Sequence, residues 1–196
     1  MLDHTHLGAI AERHKAYAEA RARLIKLAGD AQGASKRAIF AQHRDDAAEA
    51  DRLIGEAAAA LTEIQALAAR TEGLAEEGSY RAALEEYAEA ALYRMFVAAG
   101  KVGPITGAVA VDDDAYLGGL SDLTGELQRR QVRFATEGNQ DEVARAKQAI
   151  EEIVNALLAM DLGGYLRTKF DQAKNSLRRA EDVLYETTIR RKGSAN

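Results

Sequence analysis

The sequence predicts an all-α protein, a single-domain antiparallel bundle of helices that spans residues 1–196. Three observations support this prediction. The chain has one Pro and 41 Ala among its 196 residues, a composition that favours long helices. Apolar side chains recur at helical spacings, and no segment alternates as a strand does. The predicted loops are short, and short loops place consecutive helices antiparallel.

The first half of the chain is predicted to be helical with glycine interruptions. An apolar stripe that includes Leu7, His14 and Leu24 marks the first helix, and His14 is expected to pack in the core. Gly29 and Gly33 bracket a candidate break, after which the helical pattern resumes.

Loops separate four further helices, which are expected over residues 79–99, 112–136, 141–162 and 165–191. Ser79 is the expected N-cap of the first of these four. Pro104 and its flanking glycines mark the clearest loop. Asp112, Asp113 and Asp114 suit the first turn of the next helix, where carboxylates meet the positive end of the helix dipole. Gly138 is the expected stop of that helix.

Composition also excludes several classes of protein. Without Cys, the chain has no disulfide framework, thiol nucleophile or thiolate zinc site. It also lacks the Glu-x-x-His pairs of a di-iron bundle, a Gly-x-Ser-x-Gly motif and a Walker-type loop. No stretch approaches the roughly 20 uncharged residues of a membrane span, and the N-terminus does not resemble a signal peptide. We therefore expect a soluble, cytoplasmic protein that does not bind membranes.

Charge is distributed unevenly, which matters for the choice of partner. The formal net charge is -5, a balance that alone argues against a nucleic-acid partner. Residues 1–44 and 165–196 each hold 8 basic and 4 acidic side chains, so the negative charge is concentrated in residues 45–164. The two basic ends can form a nucleic-acid-binding face if they pack together. The alternative is that each basic end is an ordinary solvated helix face.

Two pairs of carboxylates stand out as candidate metal ligands. Glu86 and Glu89 lie one turn apart on one predicted helix, and Asp122 and Glu126 lie one turn apart on another. If the helices face each other, the four groups form an all-oxygen site for Mg²⁺ or Mn²⁺, which can activate water against a phosphodiester. Glycines near Asp122 are costly in a helix and fit a close approach by a backbone or a ligand. The alternative is a solvated acidic face.

Several segments of the chain match the motifs of one known family. Residues 116–129 read Tyr-Leu-Gly-Gly-Leu-Ser-Asp-Leu-Thr-Gly-Glu-Leu-Gln-Arg and resemble the core motif of the translin family, specifically of its Trax branch. Residues 13–17, 24–27 and 35–44 resemble the first two Trax helices, and residues 86–90 resemble the Trax Glu-Tyr-x-Glu-Ala. The short region at residues 100–114 resembles the archaeal members.

This resemblance implies a subunit of about seven helices, assembled as a hollow octamer of one kind of subunit. It also implies a Mg²⁺-dependent endoribonuclease that acts on single-stranded or nicked RNA. Carried onto matching positions, the catalytic and metal-binding residues would be Glu86, Glu89, Asp122 and Glu126. The family match and positive charge together give the expected nucleic-acid contacts, Lys36, Arg37, His43, Arg44 and Arg129. Two alternatives remain: a shell that binds RNA or single-stranded DNA without chemistry, and a purely structural oligomer.

Overall fold

All regular secondary structure is helical in the computed structural model, which describes residues 1–193. Six α-helices occur there, with a 3₁₀ turn (Leu74–Glu76) before the third. The α-helices are α1 (His4–His43), α2 (Ala47–Ala68), α3 (Gly78–Ala99), α4 (Asp113–Glu137), α5 (Gln140–Leu158) and α6 (Gly164–Gly193). The all-α prediction is therefore confirmed. None of these helices is long and apolar enough to cross a membrane.

Helix α1 runs unbroken for 40 residues, so the break expected at Gly29 and Gly33 was wrong. Its C-terminal half is buried through small residues, among them Ala28 and Ala31, which let α2 and α3 pack closely. That packing outweighs the helix-propensity cost of the glycines, about 1 kcal/mol each. His14 lies in the exposed N-terminal half of α1, so the expectation of a buried His14 was wrong as well.

Consecutive helices pack antiparallel with one exception, the pair α3 and α4. Their N-terminal ends lie side by side, because residues 100–112 run back along the bundle before α4 begins. Two contacts hold this returning segment. The Gln65 side chain donates to the Ala110 carbonyl (2.7 Å), and the Tyr116 hydroxyl donates to the Gly103 carbonyl (3.1 Å). The antiparallel prediction was thus wrong for this pair.

Helix α6 also runs parallel to α4, and this places its first turns beside α3. The amide of Gln131 in α4 is fully buried and donates to the Ala180 carbonyl of α6 (3.0 Å). Farther toward the N-terminal ends, Lys169 of α6 contacts Asp122 of α4. Three parallel helices, α3, α4 and α6, therefore bring residues that are distant in sequence to one level of the bundle.

The helix ends follow simple capping chemistry with one departure. Asp112 caps α4 by accepting from the Ala115 amide (2.8 Å), and Gly138 ends that helix with a φ of 75°. Residue Glu77, not Ser79, is the N-cap of α3, and the Ser79 hydroxyl is buried without a hydrogen-bond partner. Helix α5 ends at Leu158, four residues before the expected end.

Candidate acidic site

Two glycines of α4 let it approach α3 closely. A Cβ atom on Gly119 would lie 2.7 Å from the Glu89 amide nitrogen and 2.9 Å from the Glu85 carbonyl oxygen. A Cβ atom on Gly118 would collide with the Glu85 side chain. Gly125 differs, since nothing lies within 4 Å of the position a Cβ would take. The costly Gly118 and Gly119 therefore have structural causes: Gly119 permits the backbone contact between the two helices, and Gly118 leaves space for the Glu85 side chain.

The close approach gathers Glu86, Glu89, Asp122 and Glu126, which we call the carboxylate cluster. Glu89 is the most enclosed member, with 8% of its surface exposed. Burial, and after it the negative charges of Asp122, Glu86 and Glu126, raise the pKa of Glu89 to about 9. Burial also raises the pKa of Glu86 and of Asp122. Four acidic groups thus share a poorly solvated space, where a positive charge is strongly stabilised.

Lysine 169 supplies one positive charge to this space. Its ammonium lies 2.7 Å from Glu85 Oε1 and also contacts the Asp122 carboxylate. Although burial opposes it, hydrogen bonds to Asp122, Glu85 and Tyr165 raise the pKa of Lys169. The Tyr165 hydroxyl donates to the same Glu85 oxygen (2.8 Å). Helix α6 therefore completes the site with a cation and an aromatic ring.

Histidine 43 forms the opposite end of the site. Its Nε2 atom contacts the Glu126 carboxylate, and its Nδ1 atom lies 3.1 Å from the hydroxyl of the buried Tyr93. The Arg133 guanidinium donates to the His43 carbonyl (2.6 Å) and to Asp45 (2.8 Å). Because these contacts tie the end of α1 to α4, the imidazole is held against Glu126.

The five residues predicted to contact nucleic acid occupy two different places. Lys36, His43 and Arg129 lie at the carboxylate cluster: Lys36 pairs with Glu86 (3.7 Å), and Arg129 pairs with Glu126 (3.9 Å). The structure does not bring Arg37 and Arg44 there. Arg37 lies near Glu56 of α2 (3.8 Å), and Arg44 is the exposed C-cap residue of α1.

The donor set of the carboxylate cluster fits a divalent cation. Carboxylate oxygens are the ligands that Mg²⁺ and Mn²⁺ prefer. Within the described chain, the Glu89 carboxyl makes no hydrogen bond or salt bridge, an arrangement that is costly for a buried charge. No three Asp, Glu or His side chains of residues 1–193 already form a metal-binding group. Lys169 and His43 instead contact Asp122 and Glu126, so a metal would have to displace or reorient these contacts.

Sequence reasoning missed three of the side chains at the site. Lys169 and Tyr165 carry no motif and become visible only through the parallel packing of α6 against α3 and α4. Tyr93 lies one turn beyond Glu89, so the helical spacing used for the carboxylates would have placed it beside them.

Comparison with known proteins gives a family and a fold. The sequence model of the Translin family matches residues 19–191. A search of curated proteins found no match.

Three solved structures have similar folds, and each comparison covers 95% of this chain and 98% of the other. Apo-NeC3PO has a TM-score of 0.84 at 23% identity. AfC3PO has a TM-score of 0.86 at 22% identity, and the complex of AfC3PO with duplex RNA has the same TM-score at 21% identity. At such identities the likeness establishes a shared fold.

Proposed function

Because this chain belongs to the translin family, we propose that it is a metal-dependent endoribonuclease that hydrolyses single-stranded or nicked RNA. The observation that carries the proposal is the carboxylate cluster, with the unpartnered Glu89 at its most buried point. A structural role alone leaves four converging acidic groups unexplained, because their mutual repulsion destabilises the fold. The motif of residues 116–129 supports assignment to the Trax branch.

In this proposal the chain's own residues have separate tasks. Glu86, Glu89, Asp122 and Glu126 would hold Mg²⁺ or Mn²⁺. A bound divalent ion supplies a Lewis acid and lowers the pKa of a bound water. The exposed cations Lys36 and Arg129 lie at the rim, where they suit the phosphates of an RNA backbone. His43 orients Glu126 through their contact.

Cleavage of a labelled single-stranded RNA tests the proposal. We expect cleavage with Mg²⁺, none with EDTA, and a loss of about 100-fold or more in Glu126→Ala, since a metal ligand is removed. Glu137→Ala is the matched control, because Glu137 is an exposed glutamate at the far end of the same helix. Cleavage by Glu126→Ala at the wild-type rate would refute the proposed site.

A second candidate is a shell that binds RNA or single-stranded DNA without cutting it. The contacts of Lys169 and His43 favour it, because they give Asp122 and Glu126 partners without any metal. The complex of AfC3PO with duplex RNA supports RNA as a ligand for either candidate. Tight, salt-sensitive binding of RNA, with no cleavage products in the presence of Mg²⁺, would favour the non-catalytic shell over the nuclease.

We also propose that the subunit assembles into a homo-oligomer, with the octamer as the expected form. Exposed apolar side chains lie on both terminal helices, Leu7 and Ile10 on α1 and Tyr185 and Ile189 on α6. Such side chains are typical of surfaces that a partner covers. Light scattering coupled to gel filtration should give eight subunits; a monomer would refute the proposal.

A further inference from the structure

An exposed phenylalanine stands at one end of the carboxylate cluster. Phe40 has 49% of its surface exposed, although it lies on α1 between Lys36 and His43, which both contact the cluster. The Arg129 guanidinium lies 5.1 Å from the centre of the Phe40 ring. The same guanidinium pairs with Glu126. A cation therefore links this ring directly to the acidic site.

A matching pair stands at the other end. Tyr165 of α6 has 60% of its surface exposed, and the Lys169 ammonium lies 5.4 Å from its ring centre. The hydrogen bond from the Tyr165 hydroxyl to Glu85 fixes the position of the ring. The ring also lines a cavity of about 480 Å³ between the N-terminal ends of α3, α4 and α6. This cavity leaves room beside the ring for a flat group.

We propose that Phe40 with Arg129 and Tyr165 with Lys169 are two base-stacking platforms, which hold unpaired bases on the two sides of the scissile phosphate. The inference rests on the proposed function and adds the residues that bind the bases. Exposed aromatic rings beside cations are the usual means by which proteins hold unpaired bases.

Stacking on the two rings is the reason for requiring unpaired bases. Asp122, which contacts Lys169, and Arg129 are separated by about 10 Å along α4 at the rise of an α-helix, so the two platforms border different ends of the carboxylate cluster. A base inside a duplex has both faces covered by its stacked neighbours. A base that stacks on Phe40 or on Tyr165 must therefore leave the duplex or come from a single strand. The phosphate between two such bases would lie over the carboxylate cluster.

Fluorescence of a short single-stranded RNA containing adjacent 2-aminopurines tests the platforms without any chemistry. Binding is measured in EDTA and again with Ca²⁺, for the wild type, Phe40→Leu and Tyr165→Leu. Leucine keeps apolar bulk and removes the aromatic face. The matched control is Phe40→Tyr, because tyrosine keeps an aromatic face at the same exposed position. Circular dichroism verifies that each variant folds.

We expect each platform variant to bind the single strand about tenfold or more weakly, to change 2-aminopurine fluorescence less, and to bind duplex RNA as the wild type does. The control should match the wild type in all three. Wild-type binding by both variants, equal losses for single strand and duplex, or a loss at one platform only would overturn the inference. So would a wild type that binds no RNA in either buffer. Since none of these measurements requires cleavage, a Glu126→Ala variant that cleaves at the wild-type rate would refute the proposed catalytic site and leave the platforms to be judged separately.

Discussion

Replacing Glu89 with glutamine should stabilise the metal-free protein, and the gain should grow with pH. A carboxyl whose pKa is higher in the folded chain than in the unfolded chain binds more protons when folded. The contribution of Glu89 to stability is therefore fully present below its unfolded pKa of 4.5 and is lost as the pH rises toward its folded pKa of about 9. Glutamine resembles the protonated acid and does not titrate.

The magnitude follows from the pKa difference. Within this window each pH unit lowers the free energy of unfolding of the wild type by about 1.4 kcal/mol, so the loss reaches about 3 kcal/mol at pH 7. Glu89→Gln avoids that loss. For a chain of this length, the melting temperature of the variant should exceed that of the wild type by about 6 to 12 °C at pH 7. At pH 5 the two should nearly coincide.

Melting curves in EDTA between pH 5 and pH 8 measure this difference. Glu19→Gln is the control, because Glu19 is exposed on α1 and away from the cluster. Added Mg²⁺ should raise the melting temperature of the wild type more than that of Glu89→Gln, which lacks one proposed ligand. If the difference in melting temperature between Glu89→Gln and the wild type stayed constant across the pH range, the conclusion that Glu89 is a buried carboxyl with a raised pKa would be refuted.

Three further predictions concern the packing and charges around the site. Gly119→Ala should lower the free energy of unfolding by about 2 kcal/mol in urea denaturation, because the added Cβ would push α3 away from α4. Gly125→Ala should raise it by up to about 1 kcal/mol, because alanine is the better helix former and its Cβ meets nothing there. Equal effects of the two would contradict the close approach. Lys169→Met should lower the free energy of unfolding by about 3 kcal/mol by leaving Asp122 and Glu85 without their cation, and Mg²⁺ should restore part of the melting temperature. Lys147→Met, at a partly exposed pair within α5, should lower it by under about 1 kcal/mol. Gly138→Ala should lower the free energy of unfolding by about 1 kcal/mol, since the φ of 75° at this position is strained for alanine. An unchanged urea midpoint would argue against the role of Gly138 in ending α4.

The parts of the fold that local chemistry controls could be predicted from the sequence. The composition and spacing predict helices, the run Asp112 to Asp114 predicts a helix start, and Gly138 predicts a stop; the structure has all three, with Asp112 as the N-cap. The break at Gly29 was wrong because packing against α2 and α3 outweighs local propensity. The antiparallel prediction was wrong for α3 and α4, because residues 100–112 return along the bundle through long-range hydrogen bonds that no local pattern encodes.

The candidate site divides in the same way. Each carboxylate pair comes from helical spacing within one element, so the sequence reveals it. Lys169 and Tyr165 belong to the site only because α6 packs parallel to α3 and α4, and the sequence contains no signal for that contact.

The long separation of α6 from α3 in the sequence also affects when the site forms during synthesis. Tyr165 follows its partner Glu85 by 80 residues, so α6 is synthesised well after α3 and α4. Until α6 docks, the acidic groups of α3 and α4 lack their α6 cation, and closing so large a loop makes this docking a late event. On the proposed function, a nascent chain whose α6 has not yet docked therefore carries an unfinished nuclease.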